Sequence, residues 1–363
     1  MTDRLGAVLA GAVPRVCAAA VALIAVDGSV AAAAAAGELV RYADAGGTLA
    51  ARRPPAGHDS IFDLASISKL FTTAVLLSLA EEGAIGLDEP VAAWIPGHDP
   101  RVTPRRLLTH TAGLPPTRRI DLELPGADAS ERMEAMLRTP IAHPVGGPYL
   151  YSDVGLVIAG RVAELAGGAP LDALVRARVT DVLGLPDTGY RPAALARVAG
   201  LARVAATEWK PERPGPGCVR GEVHDETAYA LGGVAGHAGL FATAGDLLAF
   251  GEALRLSAIG QGGAVLRPES VAEMLRDQGA EGAAFRHGLG VRIGDPAIVG
   301  PLSGAFGHSG FTGTSLVVDP ARGLTVVLLT NAVHPVRGRD GIRELRHAVA
   351  GEALRLRELQ PLT

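Results

Sequence analysis

The sequence predicts an α+β fold, in which one antiparallel sheet formed from both chain termini carries flanking helices and an inserted, mostly helical lobe. Three observations predict it. Strand-like runs flank an Asp27-Gly28 pair early in the chain, more such runs fill the stretch beyond Phe285, and between them helical periodicity alternates with Gly- and Pro-rich loops.

The elements follow in order. A short helix is expected over 5–13. Two strands, 16–26 and 29–36, read as a hairpin around Asp27-Gly28, and another strand is expected near 48–51. From 66 to 83 the pattern becomes a helix of Leu70, Val75, Leu76, Leu79 and Ala80, ended by Gly83, so Ser66 and Lys69 fall on its first turn. The middle, about 102–275, carries helices at 155–165, 171–183 and 244–254. Strands return at 288–293, 305–308, 314–319 and 324–330, the last two flanking a turn at 320–323, and a helix over 341–356 follows. The reading is one domain, 1–363, with a sheet lobe from 1–62 and 285–363 and a helical lobe from 63–284.

Composition narrows the function. A chain of 363 residues that is 48% hydrophobic with a net charge of −4 has ample core for a globular fold. Its arginines are scattered among 38 acidic residues, which leaves no basic footprint for nucleic acid or an anionic membrane. Cys17 and Cys218 define neither a disulfide framework nor a metal site and read as buried thiols. The Ala-rich run from Cys17 is far shorter than the roughly 20 residues of a membrane span. Asp3 precedes it and Asp27-Gly28 interrupts it, so no signal peptide is read and the expected compartment is the cytoplasm.

All but two of the 34 basic residues are arginine; the exceptions are Lys69 and Lys210. A guanidinium stays protonated, whereas a desolvated ammonium can release its proton and serve as a base. Lys69 follows Ser66 by three residues, which places both on one helix face where the lysine can take the serine proton and the serine can attack a carbonyl. Ser68 and Ser78 read as hydroxyls bonded to the helix backbone.

Farther along lie Tyr149-Leu150-Tyr151-Ser152-Asp153 and Phe306-Gly307-His308-Ser309-Gly310-Phe311. A phenol can shuttle a proton to a leaving group, and a strand edge with Gly310 lets backbone N–H groups approach an oxyanion. Other clusters read differently. His224-Asp225-Glu226 with His237 is read as a tight loop beside the pocket, where His237 touches substrate, because adjacent residues diverge too far to share a metal. His110 reads as a structural hydrogen-bonder. The glycines at 307, 310 and 313 lack the Gly-Lys-Ser/Thr and the following helix of a phosphate loop.

With these motifs in this order, the chain resembles the class C β-lactamase-type serine hydrolases, which include penicillin-binding proteins, D-alanyl-D-alanine carboxypeptidases and esterases. FDLASISKLFT from Phe62, LLTHTAGLP from Leu107, VHDETAYALGGVAGHAGL from Val223 and GHSGFTGTSLVVDP from Gly307 carry the resemblance, the last two being nearest the low-molecular-weight penicillin-binding-protein branch. The resemblance implies a β-lactamase/transpeptidase-like fold, Ser66 as nucleophile, Lys69 as its base and Tyr151 as proton shuttle. It implies an oxyanion hole from the N–H groups of Ser66 and Phe311. Substrate contacts would come from Asp153, His308, Ser309 and Gly310.

Two residues depart from the pattern of many relatives, which have Asn at the place of Asp153 and Lys at that of His308. Pairing with Asp153 would hold Lys69 protonated and shift base work to Tyr151, so the base stays open between the two. The expected substrate is a small ester, amide or peptide, with no metal or cofactor. Esterase activity heads the expectation. D-alanyl-D-alanine carboxypeptidase or weak β-lactamase activity, acyl transfer, and a non-catalytic binding domain are the alternatives.

Overall fold

The structure, a computed structural model, describes residues 4–192, 201–215, 217–279 and 281–359. Asp3 lies outside them. Strand β1 (Ala19–Val26) turns through Asp27 (φ 45°) and Gly28 (φ 82°) into β2 (Ser29–Gly37). Both turn residues have positive φ, the requirement of a type I′ hairpin, which an Asp-Gly pair meets at little cost.

Three strands follow far down the chain: β10 (Phe306–Ser309), β11 (Ser315–Asp319) and β12 (Leu324–Thr330). Together with β8 (Arg286–His287) and β9 (Arg292–Ile293) they form an antiparallel seven-stranded sheet in the order β2-β1-β12-β11-β10-β9-β8. The early and late parts of the chain meet at β1 and β12, from Ala20 opposite Thr330 to Val26 opposite Leu324. Every residue of β1 is buried. Ala19, Val21, Leu23 and Ala25 enter one core, while Ala20, Ala22, Ile24 and Val26 enter a second on the opposite face, as the two-residue period of a strand requires.

Helix α1 (Arg4–Ala12) supplies Leu5 and Leu9 to the second core. The first core is shared with α2 (Ser68–Glu81), α3 (Asp153–Gly167) and α4 (Ala244–Ala258), whereas α5 (Ile342–Glu358) covers the other face with Leu345, Val349 and Ala353. Helix α2 is buried on nearly all sides, which is the environment an almost uncharged helix needs. Phe71 of α2 stacks on Phe250 of α4 with ring centres 4.1 Å apart. No single helix among the described residues is long and apolar enough to cross a membrane.

Several expectations change. Residues 48–51 form no strand; Leu49 makes only an isolated bridge to Tyr42. The helix expected over 171–183 contains a π turn at Arg176–Thr180 between Leu171–Val175 and Asp181–Leu183. The strand expected at 288–293 is a tight hairpin of β8 and β9. The middle also holds small sheets that hydrophobic periodicity did not reveal: β3 (Phe62–Asp63), β7 (Leu240–Ala242) and β4 (Gly189–Tyr190) form one, and β5 (Ala206–Trp209) with β6 (Cys218–Arg220) another. Strands of two to four residues are too short to show a period. Cys17 is buried and its thiol is pushed up to about 12 by that burial, but Cys218 is only half-buried, with its thiol against the Tyr42 carbonyl.

Candidate active site

The nucleophile candidate sits on a strained turn. Ser66 lies in a 3₁₀ turn, Ala65–Ile67, ahead of α2 and not in the helix proper. Ala65 has φ 46°, a left-handed conformation that a non-glycine residue keeps only where its surroundings impose it. Here the surroundings are explicit. Asp63 Oδ1 accepts from Ala65 N–H at 2.8 Å, and its Oδ2 accepts from His224 N–H at 2.7 Å.

The same turn is stitched to the connection between β10 and β11. Thr312 Oγ1 donates to the Asp63 carbonyl at 2.8 Å, and Thr314 Oγ1 donates to that of Leu64 at 3.1 Å. A Cβ added to Gly310 would lie 2.4 Å from the Leu64 carbonyl oxygen, so only glycine lets the end of β10 close on this turn. Phe311, one of the two expected oxyanion donors, is thereby carried beside the turn that bears Ser66.

Lys69 is fully buried on α2, and its Nζ meets three acceptors: Ser66 Oγ at 2.9 Å, the His237 carbonyl at 3.1 Å and Asp153 Oδ1 at 2.8 Å. Two of its N–H donors are taken by Ser66 Oγ and the His237 carbonyl, and the Asp153 carboxylate adds an ion pair. Burial pulls the ammonium downward, but the Asp153 carboxylate and then Tyr151 outweigh it, and Lys69 is pushed up to about 12. The ammonium lies 5.0 Å from the centre of the Tyr151 ring.

Tyr151 is held by the segment that contains His110. The His110 carbonyl accepts from Leu150 N–H at 3.0 Å, while its Nδ1 accepts from Ser152 N–H at 3.0 Å. One histidine thus grips the backbone on both sides of Tyr151, and its ring lies 4.6 Å from the phenol ring. Because Nδ1 is an acceptor, the ring proton is on Nε2 and the ring is neutral; burial, with His287 and Lys69 adding to it, pushes its pKa well below 6.5. Ser152 caps α3 by accepting from Gly155 N–H. Ser68 departs from expectation, since its Oγ accepts from Leu240 N–H across the core, whereas Ser78 Oγ bonds the Val75 carbonyl of its own helix.

One expected substrate contact, His237, changes place, whereas Asp153 makes the pairing with Lys69 that the sequence left open. His237 is buried, its Nε2 lies 2.9 Å from Asp225 Oδ1, and it reaches the site only through its carbonyl on Lys69. Gly236 explains this, because a Cβ there would lie 2.0 Å from the Leu156 carbonyl oxygen; the chain is pressed against α3 and the ring turns away. Asp153, at the first residue of α3, faces Lys69. The sequence neighbours of Asp225 diverge: His224 Nε2 meets Glu208 at 2.9 Å, and Glu226 meets Lys210 at 2.6 Å.

Ser66 opens into a cleft of about 390 Å³ that also meets Tyr151, Ser309, Phe311, Arg292 and Arg346. Phe311 is 60% exposed. His308 is neutral, its pKa pushed well below 6.5 by burial and then by Lys69 and Arg292, and its Nδ1–H donates to the Ser309 carbonyl at 2.8 Å. The permanent charge expected of a lysine at that place comes from elsewhere: Arg292 has its guanidinium 5.1 Å from the Tyr151 ring centre, and Arg346 donates to the carbonyls of Gly310 and Thr314. Neither arginine lies in a motif. The strand register could have found Arg292, which pairs with Gly307 across β9 and β10.

Known proteins resemble the chain at several levels. The sequence profile described as Beta-lactamase matches residues 15–350. A protein of Escherichia coli (strain K12) named "Putative D-alanyl-D-alanine carboxypeptidase" is 33% identical over 307 residues, 76% of this chain and 70% of that protein. A solved structure titled "EstCE1, a hydrolase with promiscuous acyltransferase activity" superposes with a TM-score of 0.73 at 25% identity, covering 96% of this chain and 98% of the other. A penicillin-binding protein homologue from Caulobacter crescentus shares the fold, with a TM-score of 0.69 at 20% identity over 96% of each chain.

Proposed function

The chain belongs to the Beta-lactamase family, and from that premise we propose that this serine hydrolase cleaves small acyl esters through an acyl-Ser66 intermediate. Ser66 Oγ bonds to the carbonyl carbon as its proton passes to a base, and the N–H groups of Ser66 and Phe311 receive the charge on the carbonyl oxygen. The carbonyl then re-forms, the alcohol leaves with a proton, and water repeats the sequence to release the acid. The observation that carries the reading is the 2.9 Å contact between Ser66 Oγ and Lys69 Nζ at the wall of an open cleft.

The test is labelling by a fluorophosphonate probe, located by peptide mass spectrometry. Ser66 is expected to carry the label, and Ser66→Ala to abolish both label and esterase turnover. A label that persists on another residue overturns the assignment.

A second reading, hydrolysis of an amide that ends in a carboxylate, is favoured by two guanidinium groups at the cleft despite the neutral His308: Arg346, and Arg292, which is paired with Asp295 at 3.0 Å. The names of the curated relatives agree with it. Release of D-alanine from a D-Ala-D-Ala peptide faster than turnover of an activated ester would place this reading first. The proposal carries the cytoplasm as compartment; in its favour, the apolar run 19–26 is a fully buried sheet strand. Activity in the exported fraction of fractionated cells would reverse that.

A further inference from the structure

Lys210, the second of the chain's two lysines, takes no part in the reaction described above but belongs to a network beside the cleft. It is buried, and its Nζ donates to the His224 carbonyl at 2.7 Å and pairs with Glu226 at 2.6 Å. Arg337 joins two carboxylates, reaching Glu208 through Nε at 2.8 Å and Glu226 through Nη2 at 2.6 Å. Glu208 also meets the His224 ring at 2.9 Å. Two glutamates thus tie Lys210, His224 and Arg337 into one block.

Phe311 rests against that block. Its ring lies 5.7 Å from the His224 ring at an interplanar angle of 22°, and the Arg337 guanidinium is 5.5 Å from its centre. Among the described residues it is the only Phe, Tyr or Trp whose side chain is exposed; all the others are buried or half-buried. A single apolar side chain on a surface needs no explanation of its own. This one differs in place and in support, because it stands at the cleft that holds Ser66 and two fixed groups hold its ring. Ala332, Val333 and Ile342 continue the apolar wall.

We propose that the Phe311 ring is the specificity surface of the cleft, against which an aromatic group next to the scissile bond packs, so that esters bearing such a ring are the preferred substrates. The proposal rests on the acyl-Ser66 reading and names its substrate class. Phe311 N–H is the donor assigned to the carbonyl oxygen, so the bound carbonyl and the ring lie within one side chain's length of each other. Aromatic rings pack offset or edge-to-face with centres about 4.5–7 Å apart, a range within that reach. A ring already held by His224 and Arg337 loses little freedom when a second ring settles on it. The cleft, about 390 Å³, lies toward the small end of the roughly 300–1,000 Å³ usual for ligand sites and suits an ester with a single ring.

The test compares esters in two pairs: methyl phenylacetate against methyl acetate, which differ on the acyl side, and benzyl acetate against ethyl acetate, which differ on the alcohol side. For each pair the ratio of kcat/KM is measured in the native protein and in Phe311→Ala, so that intrinsic reactivity cancels. The ratio is expected to fall about tenfold in at least one pair, and the pair that falls identifies the side that meets the ring. Phe311→Tyr, which keeps the ring, is expected to retain the native ratio. Ratios within twofold of native for both pairs in a folded Phe311→Ala overturn the proposal.

Binding without turnover separates this proposal from the acyl-enzyme reading. In Ser66→Ala carrying ring-fluorinated phenylalanine, the Phe311 resonance is identified by its loss in Phe311→Leu. Methyl phenylacetate or benzyl acetate is expected to shift it, and a resonance unmoved by both esters overturns the proposal. If fluorophosphonate fails to label Ser66, the acyl-Ser66 reading fails on its own terms, while the fluorine shift still judges the ring.

Discussion

Substituting alanine for Gly310 tests whether the seam between β10 and the nucleophile turn governs chemistry. The added Cβ would sit 2.2 Å from Thr314 Oγ1, 2.4 Å from the Leu64 carbonyl oxygen and 3.2 Å from Ala65 Cβ. Carbon and oxygen need roughly 3.2 Å or more, so the strand end must retreat from the turn by about 1 Å, a displacement that costs about 100-fold when it falls on reacting groups. Overpacking of this kind destabilises by about 1–3 kcal/mol, which leaves most of the chain folded. Stopped-flow acylation by an activated ester is therefore expected to fall about 100-fold while the melting temperature falls by only a few degrees. Gly351→Ala, in α5 with open space around it, is the control: it should add about 0.5–1 kcal/mol of stability and leave acylation unchanged. Acylation by Gly310→Ala within threefold of the native rate would refute the idea that this seam sets the oxyanion geometry.

Stability should fall as the solution is acidified from pH 7 to pH 5. His287 is buried and is pushed down to about 4, first by burial and then by Arg292, so between 6.5 and 4 the unfolded chain binds a proton that the folded one excludes. That difference is worth about 2 kcal/mol at pH 5, and His287→Leu, which cannot titrate, should lessen the acid loss by that amount in urea denaturation; an unchanged loss counts against it. His110→Phe keeps a ring against Tyr151 but deprives the Ser152 N–H of its acceptor, and kcat is expected to fall about tenfold or more with KM little changed. Equal losses in both parameters would assign His110 to substrate binding.

The sheet was legible because strands buried on both faces are written as unbroken apolar runs: β1 and β12 are almost purely aliphatic, and Asp27-Gly28 specifies its own turn. The nucleophile helix was legible from the helical spacing of Leu70, Val75, Leu76 and Leu79 and from the Gly83 stop. What the sequence could not convey was direction within a loop. Nothing local says that Ala65 adopts positive φ, because Asp63, whose carboxylate holds it, is itself fixed by His224 and Thr312 from two distant places. His237 looked like a pocket residue until the close approach of Gly236 to α3 turned its ring inward. The arginines of the cleft were hidden by abundance, since in a chain so rich in arginine no single one stands out.

The pairing of Ala20 with Thr330 has a consequence for how the protein is made. At about 5–20 residues per second, a ribosome needs roughly 15–60 s to deliver the second partner after the first. Throughout that interval β1 has an open flank, and the most apolar strand of the molecule waits with half its hydrogen-bonding groups unclaimed. Its alanines, which let helices pack closely once the sheet closes, also leave the waiting strand less adhesive than a run of Val or Ile would be. The helical middle is synthesised during the delay, so the nucleophile turn exists in the nascent chain before the strand that gives it geometry, and the active site is among the last features to be born.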